Sequence, residues 1–190
     1  MFDLHLPSTE GLAARERILR TAHELFYRDG IRATGIDRII RDAGVTKVTF
    51  YRHFPSKNDL VVAYLDDRHR RWMDWFSNAL AGQSPVPDFP LSPLIDALRE
   101  WFAAEGYRGC AFINGVVELD GDVPEIADIS RRHKQEMVAC IAALLPDADA
   151  DLAEAAGIAV DGAIVRAQME RSPDKALTAL DALLRALFRT

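Results

Sequence analysis

Glycine at 30, glycine at 44 and proline at 55 punctuate three apolar patterns that each repeat at helical spacing. Ile18, Ala22, Leu25 and Phe26 form the first stripe, Ile36, Ile39, Ile40 and Ala43 the second, and Phe50 and Phe54 the third. Residues three and four apart share a helix face, so each stripe predicts an α-helix with one buried side. Gly30 and Gly44 suit the left-handed residue that ends a helix, and Pro55 stops the third from continuing. The expected spans are 12–28, 34–43 and 46–54, with Thr34 and Thr46 as caps of the second and third. Two helices joined by a tight, glycine-containing turn make a helix-turn-helix.

The remainder reads as helix too. Period-two alternation is absent, and Ala and Leu dominate the apolar set. Ser56-Lys57-Asn58-Asp59 has the form of a capping box and opens a long helix to about Leu80. AGQSPVPDFPLSP, residues 81–93, holds four prolines and reads as a linker. Ser92-Pro93 looks like a cap and first-turn proline for a helix to about Glu105. Further helices are expected over 110–119, from Pro124 to about 145, over 149–170 and over 173–188. The expected class is all-α.

Bulk properties restrict the function. Net charge is −6, yet residues 1–60 carry ten Lys and Arg against eight Asp and Glu, and residues 61–190 thirteen against twenty-one. The basic surplus sits at the amino end, which suggests two parts with different tasks. No apolar run reaches the roughly 18 residues that cross a bilayer, and the start MFDLHLPSTEG does not read as a secretory signal. Cys110 and Cys140 are far apart and suggest neither a disulfide framework nor a zinc knuckle. A reduced, cytoplasmic setting follows as the expectation, without membrane, metal or cofactor. His69 and His133 lack ligand spacing with any partner, and no nucleophile–base pair stands out, so an enzyme is disfavoured.

The segment GVTKVTFYRHFPSK, 44–57, is basic and aromatic and contains no carboxylate. The first turn of its helix carries Lys47, Val48 and Thr49. A helix enters the major groove, about 12 Å wide, with its N-terminal residues nearest the base edges. Lysine donates to guanine acceptors, and a valine or threonine methyl packs on thymine. Tyr51, Arg52 and His53 reach outward from the same helix. Lys57 follows in the first turn of the next, where free backbone N–H groups also attract anions. With Thr34 these groups suit phosphate. A solvated cap on a three-helix bundle explains any one of them, but the ordered set of cap, lysine, threonine, aromatic, histidine, proline and capping box favours a polyanion partner.

Those residues carry a resemblance. Residues 14–65, with Ile18-Leu19, Phe26 and ATGIDRIIRDAGVTKVTFYRHFPSKNDL at 33–60, resemble the DNA-binding domain of the tetracycline-repressor (TetR) family of bacterial regulators. GCAFIN at 109–114 resembles a segment common in the ligand-binding domains of part of that family. The resemblance implies a helix-turn-helix domain over 1–57 and a ligand-binding and dimerisation domain over 58–190. It implies a homodimer that binds a palindromic double-stranded operator and is released by a small-molecule effector. By position, Lys47, Val48 and Thr49 would face bases, and Thr34, Thr46, Tyr51, His53 and Lys57 phosphates, with Arg52 able to do either. Many members have glycine or alanine at position 48, where this chain has valine.

Beyond the motif, aromatics are dense: Trp72, Trp75, Phe76, Trp101, Phe102, Tyr107 and Phe112. Trp72, Phe76, Trp101 and Phe102 are expected walls of an effector pocket, or else ordinary core. Asn114 and Glu118, four apart on one helix face, are candidate polar groups of that pocket or a solvated face. Met137 is a wall or a gap filler. Cys110 joins the pocket set as an inert thiol or, with Arg108 nearby, a redox-sensitive one. Small residues Ala153, Ala156, Gly157, Ala163 and Ala167 crowd one late helix, and Leu177, Leu180, Leu184, Leu187 and Phe188 stripe the last. Two copies forming a four-helix bundle would bury these stripes; the monomer's own core would serve as well.

Overall fold

The computed structural model describes residues 11–119, 121, 123–146, 149–170 and 172–188. The N-terminal stretch 1–10 and the side chain of Phe188 lie outside the described set. Nine helices follow one another among these residues: α1 Ala14–Asp29, α2 Ile36–Asp42, α3 Lys47–His53, α4 Lys57–Ala81, α5 Ser92–Phe102, α6 Ala111–Leu119, α7 Pro124–Ala142, α8 Ala150–Glu170 and α9 Pro173–Phe188. The all-α expectation holds, with helix ends within a few residues of those read from the sequence.

The chain forms two compact units. Among the described residues, one holds 11–70 together with 111–130, and the other holds 71–110 and those from 131 to 188. Both α4 and α7 are therefore shared elements.

In the first unit, Ile18, Ala22, Leu25 and Phe26 of α1, Ile39 of α2, Phe50 of α3 and Leu60, Val61, Tyr64 and Leu65 of α4 make the core. His23 and Phe26 both meet the Tyr64 ring edge-on, at 4.7 and 5.4 Å. The capping box forms as its sequence predicts: Ser56 Oγ accepts from the Asp59 N–H at 3.1 Å and donates to the Asp59 carboxylate at 2.6 Å. One cap differs. Thr34 is fully buried, its hydroxyl donating to the Gly30 carbonyl at 2.7 Å, and Gly35 occupies the N-cap of α2. The loop 30–35 folds back on α1, so Thr34 satisfies the end of that helix instead of the start of the next.

In the second unit α9 packs along α8 and α5. The proline-rich stretch at 81–93 does not act as a spacer. Phe89 and Leu91 are buried, Val86 N–H donates to Ser92 Oγ at 2.8 Å, and the Arg185 guanidinium lies 4.1 Å from the centre of the Phe89 ring. Two apolar side chains among the prolines suffice to seat the loop on the core. Ser92 is thus spent on the loop rather than on capping α5.

Candidate nucleic-acid interface

The geometry starts at the turn. Gly44 has φ +62°, in the left-handed region that side chains other than glycine's rarely occupy. That single residue lets α3 begin five positions after α2 ends. Thr46, extended at φ −84° and ψ 158°, caps α3 by accepting from the Thr49 N–H at 3.1 Å. The two hydroxyls, Thr46 Oγ1 and Thr49 Oγ1, also lie 2.9 Å apart in a hydrogen bond. Phe50 and Phe54 anchor the helix from below, tilted against each other at 6.3 Å.

The anchoring dictates what is left outside. Lys47, Thr46, Arg52 and Tyr51 are exposed, and Thr49 and His53 are half-buried. Val48 is 79% exposed. A valine standing in water at the tip of a short helix gains nothing from burial within its own fold. Tyr51 is held edge-on against Phe50 at 5.2 Å, which fixes its ring.

Two expected phosphate ligands are placed otherwise. Thr34 offers no hydroxyl to the surface, as described above. Lys57 turns its ammonium to the Ile31 carbonyl at 2.6 Å, over the Phe26 ring. Burial holds that ammonium below the usual lysine range, with the Glu118 carboxylate pulling the other way. Lys57 thus clasps the loop after α1.

Arg17, Arg15 and Arg32, unremarked in the sequence, complete the frame together with Glu118. Arg17 of α1 donates to the carbonyls of Ala43 at 3.1 Å, Gly44 at 3.3 Å and Leu12 at 3.0 Å, tying α1 to the turn. Arg15 lies 5.1 Å over the Phe54 ring. Glu118 of α6 accepts from the Arg32 N–H at 2.8 Å, and the Arg32 side chain returns a bond to the Glu118 carbonyl. Arg17 finds turn carbonyls 26 and 27 positions away and the Arg32 side chain a carbonyl 86 away, which no local pattern announces. Arg17→Ala is expected to cost about 1–2 kcal/mol of stability by releasing the turn carbonyls. Thermal unfolding checks it; an unchanged midpoint would remove Arg17 from the frame.

The eight expected pocket residues are divided between the units. Asn114 and Glu118 belong to the first, where Glu118 is engaged as just described. Trp72, Phe76, Trp101, Phe102, Cys110 and Met137 belong to the second, all buried. Trp72 stacks on Phe76 at 4.5 Å and meets Trp101 edge-on at 5.3 Å and His133 at 4.9 Å. Trp75 Nε1 donates to Glu100 at 3.0 Å. A cavity of about 620 Å³ is lined by Phe102, Tyr107, Arg108, Gln168 and Pro173 among others. Lys134, near Cys110, pairs with Asp161; these partners raise its pKa although burial opposes them.

The late-helix stripes close on their own unit. Ala153, Ala156, Gly157, Ala163 and Ala167, with Leu177, Leu180 and Leu184, are buried within the subunit. A different stripe is left outside: Ile158, Val165 and Met169 of α8 are exposed, as is Leu183 of α9. With Gly162, the α8 positions step by four, three and four, which is one helix face.

Among the described residues no group of three or more His, Cys, Asp and Glu is placed to hold a metal, and no helix is long and apolar enough to cross a membrane.

A surface-mounted short helix on a glycine turn, braced by two others, defines a helix-turn-helix protein. Comparison with known proteins narrows the class. The sequence profile described as "Bacterial regulatory proteins, tetR family" matches residues 18–64. A TetR-family transcriptional regulator from Streptomyces coelicolor, known by its crystal structure, is 31% identical, with 92% of this chain and 96% of that one covered at a TM-score of 0.78. The regulatory protein TetR from Rhodobacter sphaeroides is 26% identical over 92% and 98% of the two chains, with a TM-score of 0.75. The transcriptional regulator AcuR of Cereibacter sphaeroides is 28% identical over 85% of this chain and 79% of its own. An HTH-type regulator of Lactococcus lactis is also 28% identical, and there the chain spans 54% of the relative's length. The chain belongs to the TetR family: it is a DNA-binding transcriptional regulator and not an enzyme.

Proposed function

We propose that this regulator is a ligand-responsive repressor that binds a palindromic operator as a homodimer. The observation that carries the reading is the first turn of α3, where Lys47 and the 79% exposed Val48 project beside half-buried Thr49. These three read base edges. Thr46, Tyr51, Arg52 and His53 hold phosphates, and Thr34 and Lys57 support the backbone behind them. Valine at 48 adds an apolar contact that suits a thymine methyl.

The dimer forms through α8 and α9, and its face is the exposed stripe Ile158, Gly162, Val165, Met169 and Leu183. A groove of about 360 Å³ along this surface, walled by Gly162, Ala163, Leu180 and Leu183, fits the ridge of a second copy. Among the described residues, no atom outside its own helix backbone lies within 4 Å of where a Cβ on Gly162 would stand, so a partner helix can approach closely. Twofold symmetry matches two recognition helices to two half-sites about one helical turn apart. An effector held in the second unit shifts the spacing by binding one dimer geometry more tightly. The 25-residue α4, common to both units, carries the change.

A gel shift on DNA selected from a random pool tests the DNA side. A palindrome with a steep salt slope is expected, the affinity falling by orders of magnitude between 50 and 200 mM salt when six or more phosphates are contacted. Salt-insensitive binding, or none, would favour a helical ligand-binding protein that has lost its DNA function.

A further inference from the structure

The aromatic cluster of the second unit contains a polar anomaly. Trp72 and Trp101 are each only 2% exposed, and among the described residues neither indole N–H has an acceptor within hydrogen-bond distance. Trp75, beside them, does have one in Glu100. A buried donor left without a partner costs roughly 1–3 kcal/mol, and such groups are rare in folded proteins. Two of them, on rings 5.3 Å apart, call for a common explanation.

The surroundings say what acceptor would fit. Trp72 touches Trp75, Phe76 and His133, and Trp101 touches Phe102 and Tyr107. None of these ring neighbours is a permanent cation, so an ionised carboxylate brought among them would lose its hydration without a charge to replace it. A neutral oxygen would not. The flat walls favour a flat ligand body, which stacks or meets the rings edge-on. A cavity lies next to the cluster: Phe102 and Tyr107, which pack on Trp101 at 5.7 and 5.5 Å, also wall the 620 Å³ cavity, and exposed Arg108 is among its lining.

We infer that the effector is an uncharged, flat molecule with a carbonyl-type oxygen, and that the Trp72 and Trp101 indole N–H groups are its hydrogen-bond donors. This rests on the ligand-responsive reading above and gives it a chemical class. The effector oxygen satisfies both donors at once, and its apolar body replaces contacts now made only between rings.

The test uses the full chain and three probes of similar size: acetophenone, ethylbenzene and benzoate. The chain has three tryptophans, so its indole N–H resonances are few enough to follow by NMR. Trp75→Phe and Trp101→Phe variants assign them, and the measurement itself is made on the unaltered protein. Acetophenone is expected to move the Trp72 and Trp101 protons downfield, saturably, and to leave Trp75 little changed. Ethylbenzene, which lacks the acceptor, should bind about thirtyfold more weakly, the loss of two hydrogen bonds. Benzoate should leave the Trp72 and Trp101 protons in place even if it associates with Arg108. Equal binding of ethylbenzene, stronger effects of benzoate on these two protons, or no shift with acetophenone would each overturn the assignment. Selected operator DNA added to the same samples separates the two levels. Acetophenone that shifts both protons but does not weaken the DNA complex sinks the ligand-responsive reading and leaves the donor assignment standing.

Discussion

Lys47→Ala is expected to change which DNA is bound more than how tightly DNA in general is bound. The Lys47 side chain is exposed on the first turn of α3, next to the outward-facing Val48, and among the described residues no backbone carbonyl takes its ammonium as Ile31 takes that of Lys57. A lysine donating to guanine contributes discrimination of about 1–3 kcal/mol at its base pair. Both half-sites of a palindrome lose it together, so affinity for the selected operator should fall by a factor on the order of a hundred or more. Affinity for random DNA should fall only by the share of one charge per half-site. Competition binding against the selected operator and its single-base variants measures both. A uniform loss across all sequences would reassign Lys47 to the phosphates. Tyr51→Phe, which removes a hydroxyl offered to backbone, should give that uniform pattern.

Placing aspartates at Ile158 and Leu183 together is expected to produce a monomer. Both side chains are exposed in the single chain, so the substitution costs the subunit fold little. In a dimer they would bring unpaired charges into an apolar contact, which is among the most expensive changes an interface can suffer. Loss of the dimer removes the gain from linking two half-sites, a factor of 10² to 10⁴ in typical linked systems. Sedimentation and operator binding on the same preparation read the two effects. A variant that stays dimeric with unchanged DNA affinity would place the interface on another surface.

The two ends of the chain differed in how openly they announced themselves. Around the turn, each residue type has one structural use. Glycine 44 supplies a positive φ, Thr46 a cap, Phe50 and Phe54 an anchor, and the polar residues between them have nowhere to point but outward. Local pattern and tertiary placement agree there, so the sequence is readable. The late helices offer no such contrast. Alanine, glycine and branched apolar residues surround α8 on all sides, so the side facing α9 and the side facing water have similar composition. Spacing alone then selects the tightly packed internal stripe, and the exposed one through Ile158 and Met169 appears only with coordinates. The proline-rich loop misled for a related reason: proline count suggests a spacer, whereas burial of Phe89 and Leu91 decides its role. Lys57 reads as a phosphate ligand by position, but a lysine stem is long enough to turn back, and the Ile31 carbonyl is an acceptor 26 positions away that no local window contains.

The claim on which the rest depends is that the opening turn of α3 lies in the major groove, twice per operator. Position 48 is the most direct reporter, because its side chain is exposed and makes no contact that the fold needs. A Val48→Cys variant, in a Cys140→Ala background that removes the more accessible native thiol, would carry an iron chelate that cleaves nearby DNA. Two clusters of cuts are expected, symmetric about the centre of the palindrome and about one helical turn apart, with offsets that mark the major groove. Cleavage scattered along the duplex, or confined to a single minor-groove track, would contradict the placement of α3 and with it the reading of this protein as a base-specific regulator through Lys47, Val48 and Thr49.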